Sequence, residues 1–209
     1  MKVVTVLRSG GDYRPEHVER LAGQLRRYHD RPEIWCLSDT DVDGVNVAPL
    51  TYDWPGWWCK MAAFSPQHAT EPFLLVDLDT TIVGPLDDIL ARRELTVLSD
   101  FYKPRQIQSS FMLVTPDAAA KAWAAWMADP AKHMRECVTP QRWGDQGFLE
   151  SVWGSAVQRW QGVLPGQFVS WKVDCRPAVG MKERGDGRIP RGARVVISHG
   201  KPRPWECGL

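Results

Sequence analysis

No stretch of this 209-residue chain approaches the roughly 18 consecutive apolar residues that a membrane-spanning helix needs. The first apolar stretch, Val3 to Leu7, is too short for a secretory signal core and has no small-residue cleavage site behind it. Paired cysteines are missing too. Cys36, Cys59, Cys137, Cys175 and Cys207 are scattered, odd in number and contain no CxxC pair. They give no sign of a zinc knuckle or a disulfide framework. Reduced thiols in a cytoplasmic setting are the expectation. The formal net charge is only +1, so the basic surface of a general nucleic-acid binder is not expected. Internal repeats and low-complexity segments are absent as well.

What remains is the composition of a globular domain, with 44% apolar and 24% charged residues. The length suits one domain spanning residues 1–209, large enough to bury a core without metal or disulfides. The small net charge hides an uneven distribution. Residues 30–100 carry 4 basic against 13 acidic side chains, and residues 172–209 carry 9 against 4. An acidic middle and a basic tail can meet around a cation and an anion together. Eleven tryptophans are many for this length. Some have to pack the core, and others can offer a platform for a flat ring or a sugar face.

Apolar periodicity predicts strands at Lys2–Leu7, Glu33–Leu37, Val45–Leu50, Pro72–Val76, Leu95–Ser99, Ser110–Val114 and Val195–Ser198. Helices are predicted at Pro15–Tyr28, Trp57–Phe64, Pro116–Met127 and Asp145–Trp153, with a loop and short helix at Ile82–Leu90. Strands alternating with helices predict an α/β architecture around a mostly parallel sheet flanked by helices. Residues 180–194, rich in Gly, Arg and Lys, read as a mobile loop that buries little.

The strongest chemical signal is Phe73-Leu74-Leu75-Val76-Asp77-Leu78-Asp79. An apolar strand runs into two aspartates spaced i, i+2. In α/β folds ligands bind beyond the carboxyl ends of strands, and two carboxylates there suit a hard divalent cation, Mn²⁺ or Mg²⁺. The second signal is Ser198-His199-Gly200-Lys201-Pro202-Arg203-Pro204-Trp205. A histidine follows the last strand, with basic groups two and four residues on. Imidazole is a metal ligand and Lys or Arg binds phosphate oxygens.

Together these segments resemble the glycogenin-like retaining glycosyltransferases of family 8, which have the GT-A fold. Asp77-Leu78-Asp79 is similar to that family's DxD motif. His199 to Trp205 resembles a shortened HxxGxxKPW ending, with Arg203 where a lysine is expected. Gly144-Asp145-Gln146-Gly147 resembles its GDQG segment. Gln108-Ser109-Ser110 sits where the family has an Asn-Ser-Gly turn, and Lys60 matches a lysine ahead of the donor region. The resemblance implies a mixed, mostly parallel central sheet and transfer of a sugar, with retention, from a nucleoside-diphosphate sugar, expectedly a UDP-sugar, to an unknown glycan, protein or small-molecule acceptor. It implies Asp77, Asp79 and His199 as metal ligands, and Lys201 or Arg203 on the diphosphate. Asp145 and Gln146 would serve the reacting sugar. Arg8, Tyr13, Lys60, Gln108 and Ser109 would bind the donor, with Tyr13 able to stack on the base.

Two other readings stand beside this one. Asp77 and Asp79 also fit the DxDx[TV] motif of haloacid dehalogenase-like phosphatases, as nucleophile and general acid–base. That motif normally ends the first strand, whereas here some 75 residues precede it. A non-catalytic binder of nucleotide sugars or glycans is the other alternative.

Overall fold

The computed structural model describes residues 1–209. Its first half alternates strand and helix. Strand β1 (Lys2–Leu7) leads to helix α1 (Pro15–Tyr28), and β2 (Ile34–Ser38) and β3 (Asn46–Pro49) follow. A 3₁₀ segment, Gly56–Phe64, precedes β4 (Phe73–Val76) and β5 (Thr80–Ile82). After the short helix α2 (Asp87–Leu90) come β6 (Thr96–Ser99) and β7 (Ile107–Val114), then helices α3 (Pro116–Ala128) and α4 (Pro130–Glu136). A hairpin of β8 (Val138–Thr139) and β9 (Arg142–Trp143) introduces helix α5 (Gly144–Trp153). The chain ends through β10 (Gln158–Arg159), helix α6 (Trp160–Val163), β11 (Phe168–Ser170), a π-helical turn at Trp171–Cys175, and β12 (Val195–Ile197).

Seven strands form the central sheet in the order β10-β6-β7-β4-β1-β2-β3. The β1–β2, β1–β4, β2–β3 and β6–β10 pairs are parallel, and β7 is antiparallel to both β4 and β6. The sheet is therefore mixed and mostly parallel, as expected. Its two faces bury separate apolar layers because successive strand side chains point to opposite sides. Leu74 and Val76 join Val18, Leu21 and Leu25 of α1 in one layer. Phe73 and Leu75 join Trp58, Phe64, Trp126 and Phe148 in the other. Helix α1 opens on Pro15, whose missing N–H costs nothing in the first turn, and carries Arg26 and Arg27 in its last turn, where the helix dipole favours cations.

A smaller sheet, β11-β12-β5, decides where the tail goes. Strand β12 runs antiparallel to β5 with Ile197 opposite Thr80. The Ser198 N–H donates to the Asp79 carbonyl at 3.1 Å. Thr80 directly follows Asp79, so this register brings His199 to the end of β4 across 120 residues of chain.

Three expectations are corrected. Gln108 and Ser109 lie inside β7 rather than in a turn before it, because the strand starts at Ile107. The 57–64 helix has 3₁₀ geometry and begins at Gly56. Residues 180–194 are irregular but anchored: Glu183 pairs with Arg176 at 2.8 Å, Arg184 with Asp174 at 2.7 Å, and Arg194 with Asp88. Gly185 is the tightest point of that segment. A Cβ there would stand 2.1 Å from the Arg176 carbonyl oxygen and 2.5 Å from the Cys175 carbonyl carbon. Gly185→Ala is therefore expected to cost about 1–3 kcal/mol of stability by overpacking against backbone, read from urea denaturation. A cost near zero would mean that the segment is not seated on residues 175–176.

Candidate active site

The ends of β1, β4 and β12 open into one cavity of about 660 Å³. Arg8, Tyr13, Lys60, Asp77, Asp79, Gln108, Ser109, Asp145, Gln146, His199 and Arg203 all line it. Lys201 does not, and its side chain is exposed. Eleven of the twelve residues singled out from the sequence thus share one cavity. They do so at the carboxyl ends of the parallel strands β1 and β4, where α/β folds place ligands.

Two charge clusters divide the cavity. In the first, the Lys60 ammonium, 6% exposed, lies 2.8 Å from Asp77 Oδ1, 3.0 Å from Asp77 Oδ2 and 2.8 Å from Asp145 Oδ2. Ser109 Oγ donates to Asp145 at 2.7 Å and accepts from Lys60 at 3.2 Å. Burial pulls the Lys60 pKa down, but the Asp145 and Asp77 charges more than offset it and the net direction is up. Burial, resisted by Lys60, raises the pKa of Asp77. The Gln108 amide is folded back on Ser110 of its own strand, accepting from the Ser110 N–H at 3.0 Å.

In the second cluster, Arg203 Nη1 donates to Asp79 Oδ2 at 2.6 Å and to the Tyr13 hydroxyl at 2.7 Å, and Nη2 reaches Asp12 at 3.1 Å. The Tyr13 hydroxyl itself donates to Asp79 Oδ2 at 3.0 Å. The guanidinium also sits 4.9 Å over the Tyr13 ring, a cation–π contact that covers one ring face. Arg8, at the end of β1, is held by Asp53 at 2.8 Å.

His199 is placed by aromatic packing. Its ring stacks on Phe101 with centroids 5.6 Å apart and meets Tyr102 edge-on. Its Nε2 shares a 2.7 Å hydrogen bond with Ser170 Oγ. Burial and the nearby Lys172 charge push its pKa down to about 4, so the imidazole is neutral at pH 7, as a metal ligand must be.

The donor set is chemically suited to a hard divalent ion: two carboxylates at a strand end and a neutral imidazole. Both bonds to Asp79 fall on Oδ2, and Oδ1 carries neither. As the side chains stand, no three His, Cys, Asp or Glu side chains are gathered closely enough to hold an ion. The built-in cations Lys60 and Arg203 occupy the carboxylates instead. Asp77, Asp79 and Asp145 still outnumber them, and Asp12 adds a further negative charge.

Sequence reasoning missed Asp12, Lys172 and the pair Trp57 and Trp143. Lys172 Nζ donates to the His199 carbonyl at 2.7 Å. Asp12 sat next to Tyr13 in the first turn, a signal that was available. Lys172 had none, because only β11–β12 pairing brings it to His199.

The sequence matches no family model and no curated protein. The fold does have solved counterparts. An active-site mutant of LgtC superposes with a TM-score of 0.68 at 10% identity, covering 100% of this chain and 91% of that one. The galactosyltransferase LgtC with donor and acceptor sugar analogs gives 0.64 at 10% identity over 98% and 89%. The glycosyltransferase GlyE of Streptococcus pneumoniae TIGR4 gives 0.66 at 13% identity, covering 98% of this chain but 56% of that one. The fold is therefore that of the GT-A glycosyltransferases, and in this chain the aspartate pair follows β4 rather than a first strand. No helix is long and apolar enough to cross a membrane.

Proposed function

We propose that the chain is a glycosyltransferase that moves a sugar from a nucleoside-diphosphate sugar, a UDP-sugar in the first instance, to an acceptor, with retention of configuration. The observation that carries this reading is the meeting of Arg203 and Asp79, 124 residues apart, in a cavity at the carboxyl ends of β1 and β4. Such an arrangement offers both a cation site and a phosphate site to one ligand.

Asp77, Asp79 and His199 would hold Mn²⁺ or Mg²⁺. The bound ion would act as a Lewis acid on the leaving diphosphate. The excess of carboxylates supports this assignment, since a cavity with surplus negative charge repels a diphosphate unless a cation accompanies it. The protein's own groups do the rest. Arg203 offers charge-assisted hydrogen bonds to the phosphate oxygens. Lys60 and Ser109 hold the Asp145 carboxylate in place, so that it can face the positive charge that develops on the sugar ring. Gln146 supplies a donor and an acceptor for sugar hydroxyls.

The test is thermal unfolding with uridine diphosphate and Mn²⁺, each alone and together, followed by assay of nucleotide release from a panel of UDP-sugars. At a hundredfold excess over Kd, binding to the folded state adds about 2.7 kcal/mol, a shift of several degrees at this size. The shift should require both components. No shift with any nucleoside diphosphate would refute the donor assignment. Binding without turnover of any UDP-sugar would favour the non-catalytic binder.

A further inference from the structure

The nine other tryptophans pack into the interior layers or against neighbouring side chains, but Trp57 and Trp143 stay 50% and 52% exposed, and both line the cavity. No other tryptophan is exposed to this degree. Leaving two indoles in water forgoes one of the largest apolar burials available to any side chain. They also come from separate elements. Trp57 is the second residue of the 3₁₀ segment that carries Lys60, and Trp143 is the residue just before α5.

Both indoles are held in position. Trp143 is paired with Val138 in the β8–β9 hairpin, and the next N–H, of Gly144, donates to the Cys137 carbonyl at 2.9 Å. Gly144 has a φ of +60°, and a Cβ there would lie 3.1 Å from Trp57 Nε1. The glycine thus lets the Trp57 ring lie against the first residue of α5. The ring centroids of Trp57 and Trp143 are 6.1 Å apart and tilted by 40°.

That geometry separates two kinds of ligand. A nucleobase sandwiched between indoles needs parallel rings about 7 Å apart, twice the aromatic contact distance. This pair is closer and tilted, so it offers no slot and instead presents faces along one side of the cavity. A pyranose fits such faces, because its C–H face is apolar while its rim of hydroxyls needs polar partners. Asp145 and Gln146, directly after Trp143 and Gly144, line the same cavity. The order of contacts sets which end this is. Arg203 and Tyr13 meet Asp79 at one end, Lys60 bridges Asp77 to Asp145, and Trp143 lies two residues from Asp145. The indoles are thus at the far end of the network from the proposed diphosphate.

We infer that Trp57 and Trp143 form the acceptor platform and that the acceptor is a carbohydrate presenting a pyranose face; this rests on the donor assignment proposed above. The test is saturation-transfer NMR with methyl galactopyranosides, methyl glucopyranosides and lactose on the wild type, Trp57→Ala and Trp143→Ala, with uridine diphosphate and Mn²⁺ titrated in parallel. Both side chains are about half-exposed, so truncation is expected to leave the fold intact, and nucleotide binding by each variant checks that it does. At least one pyranoside should bind the wild type, with transfer concentrated on one ring face. Each variant should lose about tenfold or more in affinity for it, the usual cost of truncating an anchoring tryptophan. Uridine diphosphate should bind all three proteins equally. Absence of pyranoside binding to the wild type, unchanged affinity in both variants, or a matching loss of nucleotide affinity would each overturn the acceptor assignment. Failure of the wild type to bind nucleotide while pyranosides bind would instead overturn the donor assignment alone.

Discussion

Lys60→Met is expected to cost about 3–5 kcal/mol of folding stability at neutral pH, the usual penalty for breaking a buried ion pair by removing one partner. The ammonium contacts Asp77 and Asp145 together at 2.8 Å and is 6% exposed. Methionine keeps the volume and leaves two carboxylates facing each other in a desolvated place. Asp77 already resists ionisation because of burial, with Lys60 the main opposing influence. Without the lysine its pKa rises further, so the variant should regain stability as pH falls and a proton replaces the lost charge. Urea denaturation of both proteins across the acid range reads this directly. A loss below about 1 kcal/mol at pH 7 would place Lys60 in a solvated site. Donor turnover should fall as well, because Asp145 loses the group that positions it.

The second large effect is on ligand binding. Asp79→Asn removes a carboxylate that the proposed ion needs and the anchor on which Arg203 rests. Nucleoside diphosphate affinity in Mn²⁺ should fall by about 10²-fold or more, on the scale of losing one buried charged partner. The residual binding should no longer respond to the metal. Unchanged affinity would remove Asp79 from the site. The same variant carries a pH signature without ligand. Burial and the Asp77 charge raise the Asp79 pKa from 3.8 to about 6, with Arg203 and Tyr13 only partly offsetting them. The folded state therefore holds this proton more tightly than the unfolded chain. Its stabilisation is full below pH 3.8 and is lost as pH rises through 6. Asparagine does not titrate, so the stability–pH curve of Asp79→Asn should be flatter across that window.

Much of this protein was decided locally. The apolar run into Asp77 and Asp79 dictates a buried strand with carboxylates at its end, because a strand buried on both faces needs continuous apolar residues and cannot bury unpaired charge. The Pro15–Tyr28 helix follows from its period and its proline, and its observed bounds agree. The α/β class follows from the alternation of elements. Among the strands of two or three residues, β12 is legible as an apolar run, whereas β5 and β8 to β11 carry no readable period of their own and exist only because a neighbour pairs with them. The site divides the same way. Residue types and spacing marked Asp77, Asp79, His199 and Arg203, because their chemistry is local to the motif. Their partners come from long-range register: Ile197 opposite Thr80 brings the tail to β4, and the 3₁₀ segment packed on β1 and α5 sets Lys60 between Asp77 and Asp145. Lys201 and Arg203 are equivalent as sequence, two basic residues in one tail. Only the packed structure separates them, turning Arg203 onto Asp79 and leaving Lys201 in solvent, because a buried carboxylate demands a partner and the tail reaches it at one position only.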